Sequence, residues 1–550
     1  MSAPSLGRSA AVMAVGTTLS RVTGLGRLVA AAYALGVTES RLADTYNIAN
    51  TMPNVIYELV LGGVLTSVFI PVVVEELRTK SREEAWEAVS AVVSTALTVL
   101  FGIALFAAVA APWLIRLFTL RLSGEQAAQQ QEMATFFLRV FAPQILLYGY
   151  AAIAAGLLNV HDRFAVPMFV PILNNLMVIA TFLGFAALVD GVPTVAGVDG
   201  DLAQKLLLAG GTTAGVAAMA LANWPSVRRL PGRLRWRPRF GHPAVRKLGR
   251  LSTWTFGYVV SNQISFGIAL VLANGVQGGP TAYFTAFAFF QLPYGIAAVS
   301  IMTALVPTLA AQAVDGDDAG FRARTAGGIR AVAILMIPAT AAYLVLSRPL
   351  IRTLLQHGVM QEASSKLVAG VLDMLALGLL PFSAFLLLVR AFNARQDTRT
   401  PLICNLVSNA AYLVFSFALF PVLDVRGLGL SHTVCYVVAS GVAWALLARR
   451  VGGLEGRHTA RELGKVVAAS AVSAGAMLLT IGAVSVAVEP ADLRALIQVA
   501  VGGVAGVAAF VAAARALGVE DLSLFTRLIP RRLRRRGGQR PGGVNGPQVT

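Results

Sequence analysis

Long apolar stretches, separated by short polar segments, follow one another along almost the whole chain. Fourteen can be delimited, and most exceed the roughly 20 residues that a helix needs to cross about 30 Å of hydrocarbon. They cover residues 10–36, 45–74, 86–115, 133–158, 164–189, 203–224, 251–274, 281–312, 326–347, 367–392, 401–422, 428–448, 464–487 and 495–518. We therefore predict an all-α membrane protein with 14 transmembrane helices.

Basic residues are distributed unevenly between the two sides that this pattern defines. With a cytoplasmic N-terminus, 31 of the 45 lysines and arginines fall on the cytoplasmic side, 9 on the opposite side and 5 within spans. Such an excess marks cytoplasmic loops, so we predict cytoplasmic N- and C-termini in a plasma-membrane protein. The net charge of +18 comes largely from residues 228–250 and from the C-terminal tail. Both segments are typical of contacts with anionic lipid headgroups, and no nucleic-acid partner is needed to explain them.

One short pattern occurs in each half of the chain. Asn159 and Pro167 have the same spacing as Asn393 and Pro401, and each pair joins two predicted spans. Two pseudo-symmetric six-helix lobes follow from this repeat, an arrangement common among transporters. We predict a first lobe over residues 1–224, a basic linker over 225–250, a second lobe over 251–449, two extra C-terminal helices over 450–518 and a basic, disordered tail over 519–550.

Two arginines, Arg21 and Arg27, lie inside the first apolar stretch. A guanidinium at membrane depth costs from about 3 to more than 10 kcal/mol, so such residues mark water-filled or anion-holding interiors. Gly24 and Gly26 lie between them and would let the helix bend, so that the two side chains converge. The alternative is snorkelling to an interface, which suits an arginine at a helix end better than one in mid-span. We predict a cationic cavity.

Polar residues also mark the second span, most of them at a helical spacing that places them on one stripe. The set comprises Asp44, Asn47, Asn50, Asn54 and Glu58. A stripe of amides ending in a carboxylate should face the interior, where it would pair with Arg21 or Arg27. For the asparagines, hydrogen bonding that only holds the helices together is an equal alternative.

Helix-breaking residues interrupt the same region. Pro53, Gly62 and Gly63 lie within or beside the polar stripe, and together with Gly24 and Gly26 they are candidate hinges. Breaks at membrane depth persist where protein or a water-lined cavity satisfies the freed backbone groups. Each single break is also compatible with an ordinary transmembrane helix.

Asn405 and Asn409 lie one turn apart in the eleventh span. Their amide oxygens would suit a cation, although contact between helices is the more common role of such amides. The chain shows no carboxylate pair, nucleophile–base arrangement or Walker motif, so we predict that it is not an enzyme. No cofactor or metal is expected, and the membrane potential or a coupled cation has to give any transport its direction.

The first-helix arginines belong to a set of motifs that are specific in combination. The set comprises residues 20–27, 43–44, 52–54, 158–159, 163–164 and 167, 395–397, and 400–401. Together they resemble the MurJ (MviN) family of lipid II flippases, from about residue 9 to residue 518. The resemblance implies a V-shaped pair of six-helix lobes of the multidrug/oligosaccharidyl-lipid/polysaccharide exporter superfamily. It also implies that the two extra helices form a groove for a lipid tail.

The same resemblance implies transport of the peptidoglycan precursor lipid II from the cytoplasmic to the outer leaflet by alternating access. Arg21 and Arg27 match the family's essential first-helix arginines and would bind the diphosphate of this polyprenyl-diphosphate glycan. The predicted substrate-binding set is Arg21, Arg27, Asp44, Asn54 and Glu58. Glu58 and Ala288 align where better-known members carry further cavity arginines, so the positive charge is concentrated on the first helix.

Two other functions stay open on the sequence. An exporter of another anionic lipid-linked glycan would use the same fold with a different headgroup. A non-transporting membrane scaffold would instead recruit cell-wall synthesis proteins through the basic loop and tail. Replacement of Arg21 and Arg27 separates the last hypothesis from the others, because a scaffold tolerates that change and a flippase does not.

Overall fold

The computed structural model describes residues 3–58 and 69–520, and the regular elements within these two ranges are helices. Up to the basic linker they are α1 (Ala3–Leu35), α2 (Leu42–Glu58), α3 (Ile70–Thr79), α4 (Arg82–Val109), α5 (Ala111–Phe118), α6 (Gly124–Phe141), α7 (Pro143–Val160), α8 (Ala165–Leu188), α9 (Val195–Asp199), α10 (Leu202–Ala222) and α11 (Trp224–Arg228). We call this part of the chain the first half.

The second half follows the linker and begins with a long helix. Its elements are α12 (Pro243–Ala273), α13 (Gly279–Pro293), a π-helical turn (Tyr294–Ala298), α14 (Val299–Asp315), α15 (Asp318–Leu355), α16 (Glu362–Ala376), α17 (Leu379–Ala394), α18 (Arg399–Leu423), α19 (Val425–Val451), α20 (Gly456–Ala487) and α21 (Ala491–Ala516). The π-helical turn falls directly after Pro293, which lacks the amide hydrogen that a regular helix needs there.

Within the described ranges, ten helices are long and apolar enough to cross a membrane, or eleven when α16 and α17, bent by 47°, form one span. The helices outnumber these candidate spans because several helices are short, and because α6 with α7, α10 with α11, and α13 with α14 each count as one candidate. The prediction of an all-helical, multi-pass membrane protein is confirmed. The count of 14 spans stays a prediction, and the remaining crossings are expected at α1, α2 and α12.

The two loops with the repeated Asn-to-Pro spacing adopt the same backbone conformation. Asp162 and Gln396, which occupy the same position after the asparagine, have φ angles of 59° and 60°. In both loops the next amide donates to the carbonyl five residues earlier, at 2.9 Å in the first loop and 3.0 Å in the second. Because non-glycine residues seldom adopt the left-handed conformation, the match supports the predicted duplication.

Each half has a buried core of its own. In the first half Tyr46 meets Phe137, Phe141 and Phe182 edge-on, with ring centroids 5.4–6.2 Å apart, in a geometry that aromatic pairs prefer. In the second half the core joins α13, α15, α16, α17 and α19. The last two helices, α20 and α21, pack on each other and on α15.

Part of the predicted linker is docked on α4. The backbone amides of Arg235, Arg237 and Arg239 donate to three hydroxyl groups on α4 at 3.0–3.1 Å. Gly232 lies so close to Trp86 that an added Cβ would be 2.1 Å from the indole. The basic side chains of this segment therefore extend from a backbone that is fixed to the first half.

Close packing of α10 on α8 depends on Gly215. A Cβ at this residue would lie 2.7 Å from Oδ1 of Asn174 and 3.2 Å from its carbonyl oxygen. We expect Gly215→Val to destabilise the protein by about 1–3 kcal/mol, the usual cost of overpacking, and to lower the thermal unfolding midpoint in detergent. Gly210→Val is the matched control, because Gly210 of the same helix has open space around it. Equal midpoints for the two variants would contradict the packing argument.

Candidate functional site between the two halves

A cavity of about 670 Å³ lies between the two halves. Helices α1 and α2 line it from the first half, and α12, α13, α18 and α19 line it from the second. The first-half lining is Arg27, Thr51, Asn54, Val55 and Glu58. Among the residues that the structure describes, Arg27 is the one lysine or arginine in the lining, and Glu58 is the one carboxylate.

Arg27 and Glu58 lie in one cavity, but they are not paired. Glu58 accepts a hydrogen bond from Gln263 of α12 at 3.3 Å. Among the described residues the ion pairs include neither Arg27 nor Arg21, so the predicted pairing with Glu58 is not formed. An unpaired guanidinium exposed to a cavity can bind an anion through two parallel hydrogen bonds.

Arg21 lies apart from Arg27, next to the break between α13 and α14. A Cβ added to Gly295, in the π-helical turn, would lie 2.8 Å from the Arg21 guanidinium. Six residues of helix separate the two arginines by about 9 Å along the axis. Arg390 of α17 shares this region, because it and Arg21 both act electrostatically on Tyr294. Arg21 of the first half and Arg390 of the second half therefore both lie near Tyr294.

Gly24 and Gly26 lie within α1, which is helical without interruption from Ala3 to Leu35, and a hinge at these glycines stays a prediction. Gly24 packs beside Asn175 and Gly26 beside Ile179, both on α8. The Asn175 amide also donates to the Ser20 carbonyl at 3.1 Å and to the Thr23 hydroxyl at 3.0 Å. In this conformation the glycines serve close contact with α8, and they do not bring the arginines together.

The other predicted hinges lie in α2 or just beyond it. Pro53 is buried inside the continuous helix α2. Gly62 and Gly63 fall outside the described residues. Their role in gating stays a prediction.

The second-half wall of the cavity is aromatic, which the sequence did not indicate. Its rings include Phe266, Tyr283, Phe287, Tyr412 and Tyr436. His432 is packed among such rings, 4.8 Å from the Tyr436 ring and 5.5 Å from the Phe287 ring. Apolar spacing on a helix is the same for a core face and for a cavity face, so only the tertiary arrangement distinguishes them.

Asn405 and Asn409 join α18 to α12. Their amide nitrogens donate to the Asn262 side-chain oxygen at 3.0 and 2.9 Å, and to the Ser261 hydroxyl at 3.4 and 3.1 Å. This geometry is the contact between helices that the sequence left open as the alternative. Asn262 and Asn409 also reach the cavity lining, so the cation hypothesis is not tested by these bonds.

Asp44 lies away from the cavity lining and joins the two halves. Its fully buried carboxylate accepts hydrogen bonds from the Gly278 amide at 2.7 Å and from the Thr281 amide and hydroxyl at 3.1 and 2.7 Å. It therefore caps the first turn of α13 from the opposite half. Asn47, one turn later, donates to the Thr281 hydroxyl at 3.0 Å.

A second group of bonds joins the halves at the same end. The Glu39 carboxylate accepts from the Ser364 hydroxyl at 2.7 Å and from the Gln361 amide at 2.7 Å. The Val359 amide donates to the Tyr33 carbonyl at 3.1 Å. We call these contacts and those of Asp44 the interlobe latch. The latch lies where α1 ends and α2 and α13 begin, and it holds the two halves together at this end of the molecule.

One cluster of possible metal ligands lies far from the cavity. His458, Glu462 and Glu520 bring ligand atoms within 4.8 Å of one another. Lys465 donates to Glu462 at 2.6 Å, and His458 contacts Glu520 at 3.1 Å. The cluster is an ion-pair network that joins the start of α20 to the residues after α21.

Solved structures with the same fold are membrane transporters. A structure described as "Lipid II flippase MurJ, inward closed conformation" superposes with a TM-score of 0.72 at 20% identity, covering 92% of this chain and 99% of that one. A MATE-family multidrug transporter of the MOP superfamily, in an inward-facing conformation, gives a TM-score of 0.64 at 13% identity, with coverage of 79% and 96%.

Curated proteins with similar sequences align with this chain over most of their length. A Rhizobium meliloti protein called "Probable lipid II flippase MurJ" is 28% identical over 523 residues, which cover 94% of this chain and 95% of that protein. The "Lipid II flippase MurJ" of Burkholderia cenocepacia is 26% identical over 426 residues, with coverage of 76% and 78%. Residues 31–494 match the family described as "Lipid II flippase MurJ". The chain belongs to the MurJ family of lipid II flippases.

Proposed function

We propose that this protein moves lipid II from the cytoplasmic to the outer leaflet of the plasma membrane by alternating access. The observation that carries the proposal is the cavity between the halves, which contains Arg27 without a carboxylate partner among the described residues, while the interlobe latch joins the halves beyond one end of it. A diphosphate with a sugar-peptide head cannot cross hydrocarbon unaided, because burial of its charge and hydroxyl groups is too costly. A polar cavity that opens to alternate sides removes this barrier.

The proposed topology has 14 crossings with both termini in the cytoplasm. Residues 1–224 and 251–449 form the two lobes, and the helices of residues 450–518 form a groove for the polyprenyl chain. The latch then lies on the outer side, and the cavity accepts its cargo from the cytoplasm. Outward opening requires the latch bonds to break while α1 and α2 move relative to α13.

In this mechanism Arg27 binds the diphosphate inside the cavity, and Arg21 meets it nearer the cytoplasmic end. Asn54 and the second-half amides provide hydrogen bonds to the sugar-peptide head. No bond of the cargo is made or broken, so the protein acts as a transporter and not as an enzyme. The membrane potential or a coupled cation gives the movement its direction, with Asn405 and Asn409 as candidate cation ligands.

Other partners follow from the surface charge. The basic linker over residues 225–250 and the tail over 519–550 face anionic lipids of the inner leaflet in the proposed topology. Both segments also offer contacts for cell-wall synthesis proteins. We expect deletion of residues 531–550 to leave transport largely intact, because they follow the last predicted span.

The test is depletion of the protein in its own host, with measurement of lipid II exposed on the outer leaflet. Loss of exposed lipid II, restored by the wild-type gene, is the expected result. If exposure stays normal while another polyprenyl-linked glycan disappears from the surface, the cargo is that glycan and the lipid II proposal is wrong. If both stay normal while wall synthesis becomes mislocalised, the scaffold hypothesis is favoured.

Glu58 should weaken the binding of an anionic cargo, since its carboxylate shares the cavity with Arg27. We expect Glu58→Gln to tighten the binding of purified lipid II by about threefold to tenfold, through loss of the repulsion between like charges. Glu132→Gln is the matched control, because Glu132 is exposed on α6 outside the cavity lining. Unchanged affinity in Glu58→Gln would mean that the diphosphate does not approach this carboxylate.

A further inference from the structure

A second cavity, of about 260 Å³, collects basic side chains at the latch end of the molecule. Arg348 and Arg352 come from the last turns of α15, Lys366 from the start of α16 and Arg494 from the first turn of α21. Three separate segments of the chain thus bring four cations to one place.

This cluster of basic side chains is unexpected on the outer side of the membrane. In the proposed topology the outer side holds only 9 of the 45 lysines and arginines, and four of them line this cavity. Arg426 lies close by, since a Cβ added to Gly370 of α16 would be 2.6 Å from its Nε. Like charges collected from distant segments repel each other unless an anion lies between them.

Carboxylates neutralise only part of this charge. Lys366 pairs with Glu362 at 2.8 Å, and Arg352 pairs with Asp492 at 3.1 Å. Asp373 of α16 lies within electrostatic range of both Arg348 and Arg426. Two of the four lining cations, Arg348 and Arg494, therefore have no carboxylate at ion-pair distance within the described residues.

Within the described residues Arg494 donates to backbone carbonyls and to no carboxylate, so its charge stays available. Its partners are Val488 and Glu489 at the end of α20, each at 2.8 Å. Arg348 has no ion pair with a described carboxylate at contact distance. These two guanidiniums are the ones that an incoming anion would meet.

Uncharged polar groups complete the cavity wall. Gln356 carries a buried amide oxygen with no hydrogen-bond partner in the described part of the chain. The Ser485 hydroxyl and the Gln498 amide line the opposite side, 3.0 Å from each other. Because α15 and α20 end here and α16 and α21 begin here, the cavity lies at headgroup depth.

We infer that this cavity binds a phosphate group at the outer surface of the membrane. Arginine forks match phosphate oxygens bidentately, and a phosphate carries the charge that Arg348 and Arg494 require. The ligand is the phosphate of an anionic lipid in the outer leaflet or free phosphate in the surrounding solution. The site is separate from the cavity that holds Arg27, so it does not depend on the identity of the transported lipid.

The test is thermal unfolding of the purified full-length protein in detergent, titrated separately with phosphatidylglycerol, phosphatidylcholine and inorganic phosphate. Phosphatidylglycerol should raise the unfolding midpoint, and phosphatidylcholine should have little effect. Arg348→Gln should raise the half-saturating concentration about fivefold, and Arg348→Gln with Arg352→Gln by about 25-fold, as expected for basic residues near an anionic lipid. A midpoint shift with inorganic phosphate, lost in the same variants, assigns the site to free phosphate.

Arg116→Gln is the matched control, an exposed arginine on the same proposed side but on α5. It should leave the half-saturating concentration unchanged. The inference is wrong if Arg348→Gln behaves like wild type or if Arg116→Gln loses as much affinity. If Arg348→Gln does not fold, Lys366→Gln replaces it, because Lys366 is exposed and its one ion pair among the described residues is with the exposed Glu362.

Discussion

Replacement of Arg27 with alanine should abolish the ability of this protein to support growth when it is the only copy in the host. Arg27 is the one lysine or arginine in the described cavity lining. Hydrogen bonds to charged groups contribute about 1.5–3 kcal/mol each. Loss of a bidentate contact to the diphosphate should therefore reduce cargo affinity by at least about tenfold to a hundredfold. Outer-leaflet lipid II is the quantity to measure, in cells that contain equal amounts of each variant in the membrane.

Two further variants serve as controls for the Arg27→Ala result. Arg27→Lys keeps the charge but loses the fork geometry, so intermediate exposure of lipid II is expected. Arg139→Ala removes an arginine that also lies in a predicted span, exposed on α6 and outside the cavity lining. It should transport normally. Wild-type exposure in Arg27→Ala would reject the role of this guanidinium, whatever the other variants show.

Replacement of Asp44 with alanine should open the outer side of the cavity. Three donors at the start of α13, with distances of 2.7–3.1 Å, would lose their acceptor. A buried donor without a partner costs about 1–3 kcal/mol, enough to shift an equilibrium between closed and open latch by about tenfold or more. A membrane-impermeant maleimide should then label Gln291→Cys from outside the cell at least about tenfold faster, with Cys404 and Cys435 replaced by serine.

Asp201→Ala is the control for this experiment. Asp201 caps α10 by accepting from the Ala203 and Gln204 amides at 2.9 and 3.2 Å, but both partners belong to its own half. Removal of this cap should cost stability without any increase in labelling at Gln291→Cys. Equal labelling of the Asp44→Ala and Asp201→Ala variants would show that the latch does not hold the outer side closed.

Much of the fold could be predicted because a transmembrane helix requires a long run of apolar residues, which is visible in the sequence. The sixth predicted span, residues 203–224, differs from α10 (Leu202–Ala222) by two residues at most. The division into α6 and α7 was not predicted, although Pro143 begins the second of these helices. Proline in a transmembrane segment is too common for one instance to indicate a break.

The candidate site was predictable where it depends on charge. A cation in an apolar span has few stable environments, so Arg21 and Arg27 together indicated a hydrated interior. The environment of Arg21 was not predictable, because its neighbour Gly295 has no side chain to mark the contact. The partners of Asp44 include two backbone amides more than 230 residues away in sequence. Every residue except proline has such an amide, so the sequence could not indicate which ones Asp44 binds.

The contact between Arg21 and Gly295 links charge placement to helix geometry. Gly295 belongs to the π-helical turn that separates α13 from α14, and α13 also carries the residues that Asp44 holds. Any rotation that straightens this turn must push against the guanidinium or leave it without its packing surface. Movement of α13 on loosening of the outer contacts would thereby also move the surface against which this guanidinium packs.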